Sequence, residues 1–207
     1  MLPVYAAALL MACDWIPRVC PALSDESRIT SGITLLACVM PVATKVEGTE
    51  FWMLSARVTP PFSAETLVHV AKYEDGTDSI EVTYPVGGRI VDRFRETPVE
   101  TCGEARARIR LISCRRTSRD HKRLARMVKD LREKSWPVPT SNSISVDASW
   151  WEMRVADRES SMGLDLIERS EQLRRKDRHP AALLVEQVIE HFRDCLARKQ
   201  RELSPIK

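Results

Sequence analysis

The stretch Thr66–Tyr84, TLVHVAKYEDGTDSIEVTY, decides the fold class of this chain. Its two ends, Thr66–Tyr73 and Ser79–Tyr84, are rich in β-branched residues and alternate apolar with polar side chains, which is the pattern of a half-buried strand. The five residues between them are polar and include Gly76, which supplies any positive φ that the turn requires. The stretch therefore predicts a β-hairpin.

Two flanking segments extend the hairpin into an antiparallel meander. Glu50–Thr59 (EFWMLSARVT) predicts a strand that ends at Pro60-Pro61. Arg89–Arg95 (RIVDRFR) predicts a further strand after the Gly87-Gly88 pair. In such a sheet one face packs against the rest of the domain while the other contacts water.

The later part of the chain predicts mainly helices, at Arg119–Lys134, Ser161–Lys176 and Pro180–Arg201. Glu104–Ser113 fits a helix and a strand, and the capping box Thr101-x-x-Glu104 favours the helix. Ser149–Val155 predicts a last strand or edge segment. The predicted fold class is α+β, with an antiparallel β-meander followed by three or four helices packed on one face.

The first 44 residues differ sharply in charge from the rest of the chain. They hold five charged side chains, whereas the whole chain has 32 basic and 29 acidic residues. They also contain two apolar stretches, Met1–Cys13 and Ile29–Ala43, which are shorter than the ~20 residues of a spanning helix but fit a signal peptide. We therefore predict an apolar, signal-like leader at residues 1–44 and a single α+β domain at residues 45–207.

The second apolar stretch contains Leu35-Leu36-Ala37-Cys38, which resembles the lipobox at which exported bacterial proteins are cleaved and lipidated. Arg28 precedes it with the charge expected of an export signal, although two acidic residues lie close by. Cys38 is therefore a candidate lipidation site. The first stretch ends in a weaker lipobox, Leu10-Met11-Ala12-Cys13. One hypothesis is that translation starts downstream of Met1, with the stretch after Arg28 as the export signal. The sequence leaves two further alternatives open: a cut after Ala43, and a buried N-terminal element of a cytosolic domain.

Six cysteines occur in the chain, at positions 13, 20, 38, 102, 114 and 195. A bridge between Cys102 and Cys114 would join residues that a continuous strand separates by roughly 40 Å and a helix by about 18 Å. A disulfide requires Cα atoms within about 7 Å, so we predict buried free thiols instead. Loss or lipidation of the first three cysteines would leave an odd number.

The strongest signal outside the leader is a basic segment at residues 106–134, with twelve Lys or Arg residues against three acids. The predicted helix inside it carries four cations that fall largely away from its apolar stripe, and these are candidate anion-binding residues: Arg119, Lys122, Arg126 and Lys129. Such a face can bind phosphates of nucleic acid or anionic lipid headgroups, and it can equally be a solvated helix face.

Trp150, Trp151 and Arg154 are candidate partner-binding residues. Consecutive side chains of a strand point to opposite sides, so one of the two tryptophans can face outward. Trp and Arg are common anchors of protein interfaces. Alternatively, both tryptophans cover the edges of the core.

No motif for catalysis, metal or cofactor binding stands out. His191 and Cys195 share one side of a predicted helix, yet the paired spacings of zinc sites are absent from the sequence. His69 lies inside a predicted strand, and no nucleophile elbow or phosphate-binding loop occurs. We therefore predict no cofactor and no metal site, and we leave enzymatic activity uncertain while favouring a non-enzyme.

These patterns together favour an exported or envelope-associated binding protein, located in the periplasm or at the cell envelope of a bacterium. Its expected partner is an unknown protein or an anionic surface, with membrane association through the N-terminus. The alternative is a cytosolic nucleic-acid-binding protein that uses the basic segment 106–134.

Overall fold

The computed structural model describes residues 23–61, 63–118, 122–133, 149–168 and 178–203. Its contacts divide the chain into two compact units. The first unit joins the chain up to Pro41 with Ile90–Arg110, and the second joins Val42–Arg89 with Leu111–Lys207. Residues 90–110 thus belong with the N-terminal segment.

The described residues form five helices and six strands. In chain order they are α1 (Gly32–Val39), β1 (Glu50–Thr59), β2 (Thr66–Tyr73), β3 (Asp78–Pro85), α2 (Ile90–Glu96), α3 (Cys102–Arg108), β4 (Leu111–Thr117), α4 (Lys122–Glu133), β5 (Ser149–Asp157), β6 (Ser161–Glu168) and α5 (Pro180–Leu203).

The second unit is built on one six-stranded sheet with the order β4-β3-β2-β1-β5-β6, in which every neighbouring pair is antiparallel. The predicted hairpin is confirmed, since β2 pairs with β3 from Leu67–Thr83 to Lys72–Asp78. Gly76 in its turn has a φ of 78°, a conformation that glycine adopts at little cost.

Two predictions about the second half of the sheet need correction. β5 lies between β1 and β6, so it is not an edge segment. The helix predicted at Ser161–Lys176 is wrong for its first half, because Ser161–Glu168 forms β6. Its side chains alternate with period two, so Leu164 and Leu166 are both buried in the core. Residues 169–176 lie outside the described part of the chain.

The strand predicted at Arg89–Arg95 is also wrong, because Ile90–Glu96 forms helix α2. Asp92 in its first turn and the basic residues in its last turn complement the helix dipole. The ambiguous segment Glu104–Ser113 divides between the two alternatives, with α3 ending at Arg108 and β4 beginning at Leu111.

The core of the second unit lies on one face of the sheet, beneath α4 and α5. Inward-facing residues of β1 illustrate the alternation: Trp52, Leu54, Ala56 and Val58 all belong to the core cluster. Val128 of α4 and Phe192 of α5 are buried against the same face. Full burial of a large apolar side chain contributes ~1.5–3 kcal/mol, so this face accounts for much of the stability of the sheet. The predicted helices at 119–134 and 180–201 are confirmed in their described parts.

The first unit is held together by α1, α3 and the chain segments beside them. Thr101 caps α3 by accepting a hydrogen bond from the backbone N–H of Glu104, as its capping box predicts. The carboxylate of Glu104 accepts from the backbone N–H of Glu100, one residue earlier than in the standard motif. Arg28 pairs with Thr101 through a short antiparallel bridge.

The prediction of free thiols is wrong for the four described cysteines. Cys38 pairs with Cys102 inside the first unit, and Cys114 pairs with Cys195 inside the second. Cys102 and Cys114 do not bond to each other, as their spacing predicts; their partners lie 64 and 81 positions away along the chain.

The α+β class is therefore confirmed, and the arrangement within it is corrected. Helices α2 and α3 interrupt the strand series between β3 and β4, and β5 and β6 follow α4 in the chain. The architecture is thus not a simple meander followed by helices.

Candidate functional site

The face of the sheet opposite α4 and α5 carries a buried cluster of charged side chains on β1, β5 and β6. The register places Arg57 beside Glu152, and Glu152 beside Asp165. Two residue pairs along the ladder, Ser55 lies beside Arg154. Since successive residues alternate between faces, these side chains all project to the same side of the sheet.

Carboxylates of neighbouring strands neutralise both arginines. Arg57, which is 2% exposed, donates a hydrogen bond to Glu152. Arg154, which is 4% exposed, donates to Glu152 Oε1 at 3.1 Å and to Asp165 Oδ1 at 2.9 Å. Burial lowers the pKa of Arg57, and the charge of Glu152 opposes that shift. Two positive and two negative charges balance, so this cluster stabilises the pairing of three strands and has no net charge to offer a ligand.

Gly163 of β6 makes room for the Arg154 side chain. A Cβ atom at this position would lie 3.2 Å from Cδ, Nε and Cζ of Arg154. The Arg154 side chain therefore packs directly against the backbone of β6, and a larger residue at position 163 would require it to shift.

The three predicted partner-binding residues have different environments. Trp151 is 1% exposed and belongs to the core cluster. Trp150 points to the opposite face, half-buried, with its ring centroid 6.0 Å from Cζ of Arg57. Because Arg154 is also buried, Trp150 alone of the three retains substantial accessible area.

The predicted anion-binding residues are described only in part. Arg119 lies outside the described residues, as does the side chain of Lys122, the first residue of α4. Arg126 and Lys129 are exposed, while Val128 and Leu131 on the other side of α4 are buried. Lys129 has one acidic neighbour, Glu133, at 3.9 Å.

The basic segment 106–134 does not form one surface element. Residues 106–110 belong to the first unit and residues 111–134 to the second. Arg106 is engaged inside the first unit, where its guanidinium donates to the backbone oxygens of Cys38 and Leu23 and to the Asp25 carboxylate. The basic residues that lie close together in the sequence are therefore divided between the two units.

A different set of cations comes together where the C-terminal half of α5 packs on edge strand β4. This β4–α5 cation cluster consists of four residues: Arg116, Arg198, Lys199 and Arg201. The contacts that join the two elements include the Cys114–Cys195 disulfide, a 3.0 Å hydrogen bond from Arg116 to His191 Nε2, and a 2.5 Å hydrogen bond from Lys199 to the carbonyl oxygen of Ser113. Arg115, the residue between Cys114 and Arg116, points to the opposite face of the sheet.

Three of the four cations of this cluster contact neutral groups: besides the hydrogen bonds of Arg116 and Lys199, Arg116 lies 5.1 Å from the Phe192 ring, and Arg201 donates to a backbone carbonyl. Several cations elsewhere in the second unit contact carboxylates, for example in the pairs Arg57–Glu152, Lys72–Asp78, Arg154–Asp165, Arg158–Glu74 and Arg178–Glu186.

The acids of α5 that flank the cluster in sequence are Asp194 and Glu202. Within the described ranges, neither carboxylate lies within 4.0 Å of a cation of the cluster. Sequence reasoning missed this cluster because its two parts are about 80 residues apart, and no local pattern indicates that they meet.

Cys38, the predicted lipidation site, is buried and forms a disulfide with Cys102. A sulfur in a disulfide is not available for a thioether to lipid, so the two uses of Cys38 exclude each other. The two disulfides are typical of an oxidising compartment, because the cytosol keeps protein thiols reduced.

The described side chains contain no group of three or more residues placed to hold a metal ion. Cys195 is in a disulfide, and His191 accepts a hydrogen bond from Arg116. His69 lies 3.4 Å from the Glu50 carboxylate.

Among the described segments, we find no helix with the length and apolar content that crossing a bilayer requires.

Comparison of the chain with protein-family models, with curated proteins and with solved structures finds no match.

Proposed function

We propose that this chain is an exported binding protein of the bacterial cell envelope, which contacts an anionic phospholipid surface through the β4–α5 cation cluster. The observation that carries the export part is the pair of disulfides, Cys38–Cys102 and Cys114–Cys195. Disulfides form and persist in oxidising compartments such as the bacterial periplasm. The charge-poor, signal-like N-terminal segment supports the same location.

The contacts that the cluster's cations make support an anionic partner. A cation that already contacts a carboxylate gains little from a second anion, since part of its field is neutralised. Arg116, Lys199 and Arg201 contact neutral oxygen, nitrogen and ring groups, so their charge remains for an anion outside the chain. Each Lys or Arg near an anionic membrane surface contributes about 1 kcal/mol to its attraction.

The alternative of cytosolic nucleic-acid binding depends on the whole basic segment 106–134. Its first arginine, Arg106, already contacts the Asp25 carboxylate, so part of its charge is neutralised. The segment is divided between the two units after residue 110, whereas the β4–α5 cation cluster lies within one unit.

Cell fractionation combined with thiol trapping tests export. We expect the full chain, expressed in a bacterium, to appear in the envelope or periplasmic fraction with Cys114 and Cys195 protected from alkylation until a reductant is added. Recovery in the cytoplasm with both thiols alkylated without reductant would contradict export.

Vesicle sedimentation tests the partner. We expect the protein to co-sediment with vesicles containing phosphatidylglycerol and not with pure phosphatidylcholine vesicles, and to dissociate as salt is added. A double variant of exposed cluster residues, Arg198→Gln and Arg201→Gln, should lose at least tenfold in affinity for these vesicles.

The matched control replaces exposed cations that already contact carboxylates, Arg158→Gln and Arg193→Gln, whose partners are Glu74 and Glu190. We expect each of these two substitutions to reduce the binding free energy for anionic vesicles by less than a third of the loss that each cluster substitution causes. Equal losses per charge, or binding to duplex DNA but not to anionic vesicles, would contradict the proposed partner.

A further inference from the structure

We infer that the Cys114–Cys195 disulfide is a redox switch for the β4–α5 cation cluster. Reduction of this bond by a dithiol releases the C-terminal end of α5 from β4 and separates the cations of the cluster. The weaker binding to an anionic surface that follows rests on the proposed function, whereas the reduction and the release of the helix do not. Two observations carry the inference: Cys195 is partly exposed, and the disulfide lies between two hydrogen bonds that join α5 to β4.

The two described disulfides differ in accessibility. Cys38 and Cys102 are 1% and 0% exposed, so their bond is enclosed within the first unit. In the second unit Cys114 is 1% exposed, but its partner Cys195 is partly exposed. A disulfide is reduced by a thiolate that reaches one of its sulfur atoms, and exposed disulfides are the labile and regulatory ones. Cys195 therefore offers a reductant the more accessible sulfur.

Basic residues beside this disulfide favour its reduction. Arg116 lies two positions after Cys114 on the same face of β4, and Lys199 lies one turn after Cys195 on α5. Reduction passes through thiolates, which nearby cations stabilise. Arg116 and Lys199 contact neutral groups in the oxidised protein, so their charge acts on a thiolate that forms beside them.

The disulfide is the middle one of three contacts on one side of α5. His191, Cys195 and Lys199 follow one another at intervals of four residues, and each contacts β4. The outer two contacts are hydrogen bonds from the long, rotatable side chains of Arg116 and Lys199. The disulfide joins the two backbones through short side chains of defined geometry. Its reduction therefore removes the contact that fixes the distance between α5 and β4.

Core packing holds the two ends of α5 unequally. Of its seven buried residues, six precede Cys195 and one, Leu196, follows it. Three of the four cluster cations lie in this lightly packed end, and the fourth, Arg116, lies on β4. Segments with few buried apolar contacts open at a low free-energy cost. Without the disulfide, the end of α5 therefore opens and carries three cations away from the fourth.

The exchange is balanced by the dithiol. One of its thiolates attacks the Cys195 sulfur, so that a mixed disulfide forms and the bond to Cys114 breaks, with its electron pair leaving on the Cys114 sulfur. The second thiolate of the dithiol then attacks the dithiol's own sulfur in the mixed disulfide and releases the Cys195 thiolate. The dithiol is oxidised to a disulfide, and the two protons that it loses go to the two cysteine thiolates.

Stepwise reduction of the purified, oxidised chain shows which disulfide exchanges. The protein is incubated with increasing dithiothreitol, free thiols are alkylated, and mass spectrometry of the digest locates the label. We expect half-reduction of Cys114–Cys195 at a dithiothreitol concentration at least tenfold lower than that for Cys38–Cys102. Simultaneous reduction of both disulfides, or earlier reduction of Cys38–Cys102, would overturn the inference.

Two measurements on the selectively reduced protein test the switch itself. We expect amide hydrogen exchange in residues 196–203 of α5 to accelerate at least tenfold, with residues 23–41 of the first unit unchanged. We also expect the affinity for phosphatidylglycerol vesicles to fall at least threefold and to recover on reoxidation. Unchanged exchange at the end of α5 after selective reduction would overturn the inference.

Two double variants provide matched controls. Cys114→Ala/Cys195→Ala should bind these vesicles as weakly as the reduced wild type and should not respond to dithiothreitol, whereas Cys38→Ala/Cys102→Ala should keep the response. Because reduction changes no residue, the wild-type measurements decide the inference even where a variant fails to fold.

The vesicle results separate the two proposals. Failure of the oxidised protein to bind phosphatidylglycerol vesicles would contradict the proposed partner, and selective reduction and hydrogen exchange would then decide this inference by themselves. Equal vesicle affinity of the oxidised and the selectively reduced protein would overturn the switch and leave the proposed partner intact.

Discussion

The most consequential single residues are the two buried arginines on the polar face of the sheet. A guanidinium ion loses several kcal/mol of hydration on burial, and it is tolerated only where carboxylates and hydrogen bonds replace the water. Glu152 forms ion pairs with both Arg57 and Arg154, so one carboxylate on the middle strand stabilises charges contributed by two strands.

Replacement of Glu152 should therefore be severely destabilising. Glu152→Gln keeps the shape but leaves two buried cations with one carboxylate, Asp165, and we expect a loss of about 3–5 kcal/mol in the free energy of unfolding. Urea denaturation measures it. Glu74→Gln is the matched control, because the exposed Glu74–Arg158 pair should contribute less than about 1 kcal/mol. Equal effects of the two variants would contradict the role of burial.

Asp157 should make the β5–β6 turn sensitive to acid. Its carboxylate accepts from the backbone N–H groups of Glu159 at 2.9 Å and Ser160 at 2.7 Å, and these hydrogen bonds lower its pKa below the usual value of 3.8. A lowered folded pKa means that the stabilisation is present above pH ~4 and is lost as the pH falls through the folded value.

Hydrogen exchange of the β5–β6 hairpin between pH 5 and 2, corrected for intrinsic rates, measures this dependence. We expect the protection of the wild-type turn to fall below pH ~4, and that of Asp157→Asn to be lower at pH 5 and nearly constant with pH. A variant that shows the same pH profile as the wild type would argue against this role of Asp157.

At the scale of the element, β4 is an edge strand, and a lysine side chain covers one of the backbone carbonyls that point away from the sheet. Ser118 N donates to Asp78 O at 2.8 Å, so hydrogen-bonded and non-hydrogen-bonded pairs alternate from that point along β3 and β4. Ser113, opposite Thr83, falls in a non-hydrogen-bonded pair, and its carbonyl points away from the sheet. Lys199 donates to that carbonyl and covers the edge.

Removal of the Lys199 amine should expose the β4 edge to pairing with another chain. Exposed strand edges promote association, and lysine is a common protection against it. We expect Lys199→Met to self-associate with increasing protein concentration in analytical ultracentrifugation, while Arg198→Met, at the neighbouring exposed position, stays unchanged. Identical sedimentation of both variants would show that Lys199 does not protect the edge.

At the scale of the whole molecule, each compact unit contains one described disulfide. Cys38–Cys102 joins α1 to α3 in the first unit, and Cys114–Cys195 joins β4 to α5 in the second. Loops of 64 and 81 residues are long, and closing loops of this length stabilises a fold by about 4 kcal/mol in the chain-entropy description.

Each disulfide should stabilise the unit in which it lies. In the double variant Cys38→Ala/Cys102→Ala, we expect faster hydrogen exchange in residues 23–41 and 90–110, with the β2–β3 hairpin nearly unchanged. Cys114→Ala/Cys195→Ala is the matched control and should show the reverse pattern. Uniform acceleration in both variants would mean that the two units unfold as one.

Local periodicity predicted the elements whose contacts are close in sequence. The 66–84 hairpin needs only alternating side chains and a five-residue turn, and helix α5 needs only an apolar stripe after Pro180; both are in the structure. Short segments were less certain, because Arg89–Arg95 and Ser161–Glu168 are compatible with either period, and packing against distant segments decided between them.

The candidate site depended still less on local pattern. The exposed positions of Arg126 and Lys129 followed from helix periodicity, and the opposite directions of Trp150 and Trp151 followed from strand geometry. That Arg154 is buried could not be foreseen, since its burial depends on the carboxylates of Glu152 and Asp165 and on close packing against Gly163 of another strand.

The amino-acid sequence by itself determined the α+β class, the central hairpin, the long C-terminal helix and the charge-poor N-terminal segment. Only the tertiary structure decided the cysteine pairs, the buried charge cluster and the β4–α5 cation cluster. The physical reason is distance along the chain. Periodicity reports how neighbouring residues face a common core, whereas a disulfide or an ion cluster depends on which segments, 64 or 81 residues apart, fold against each other.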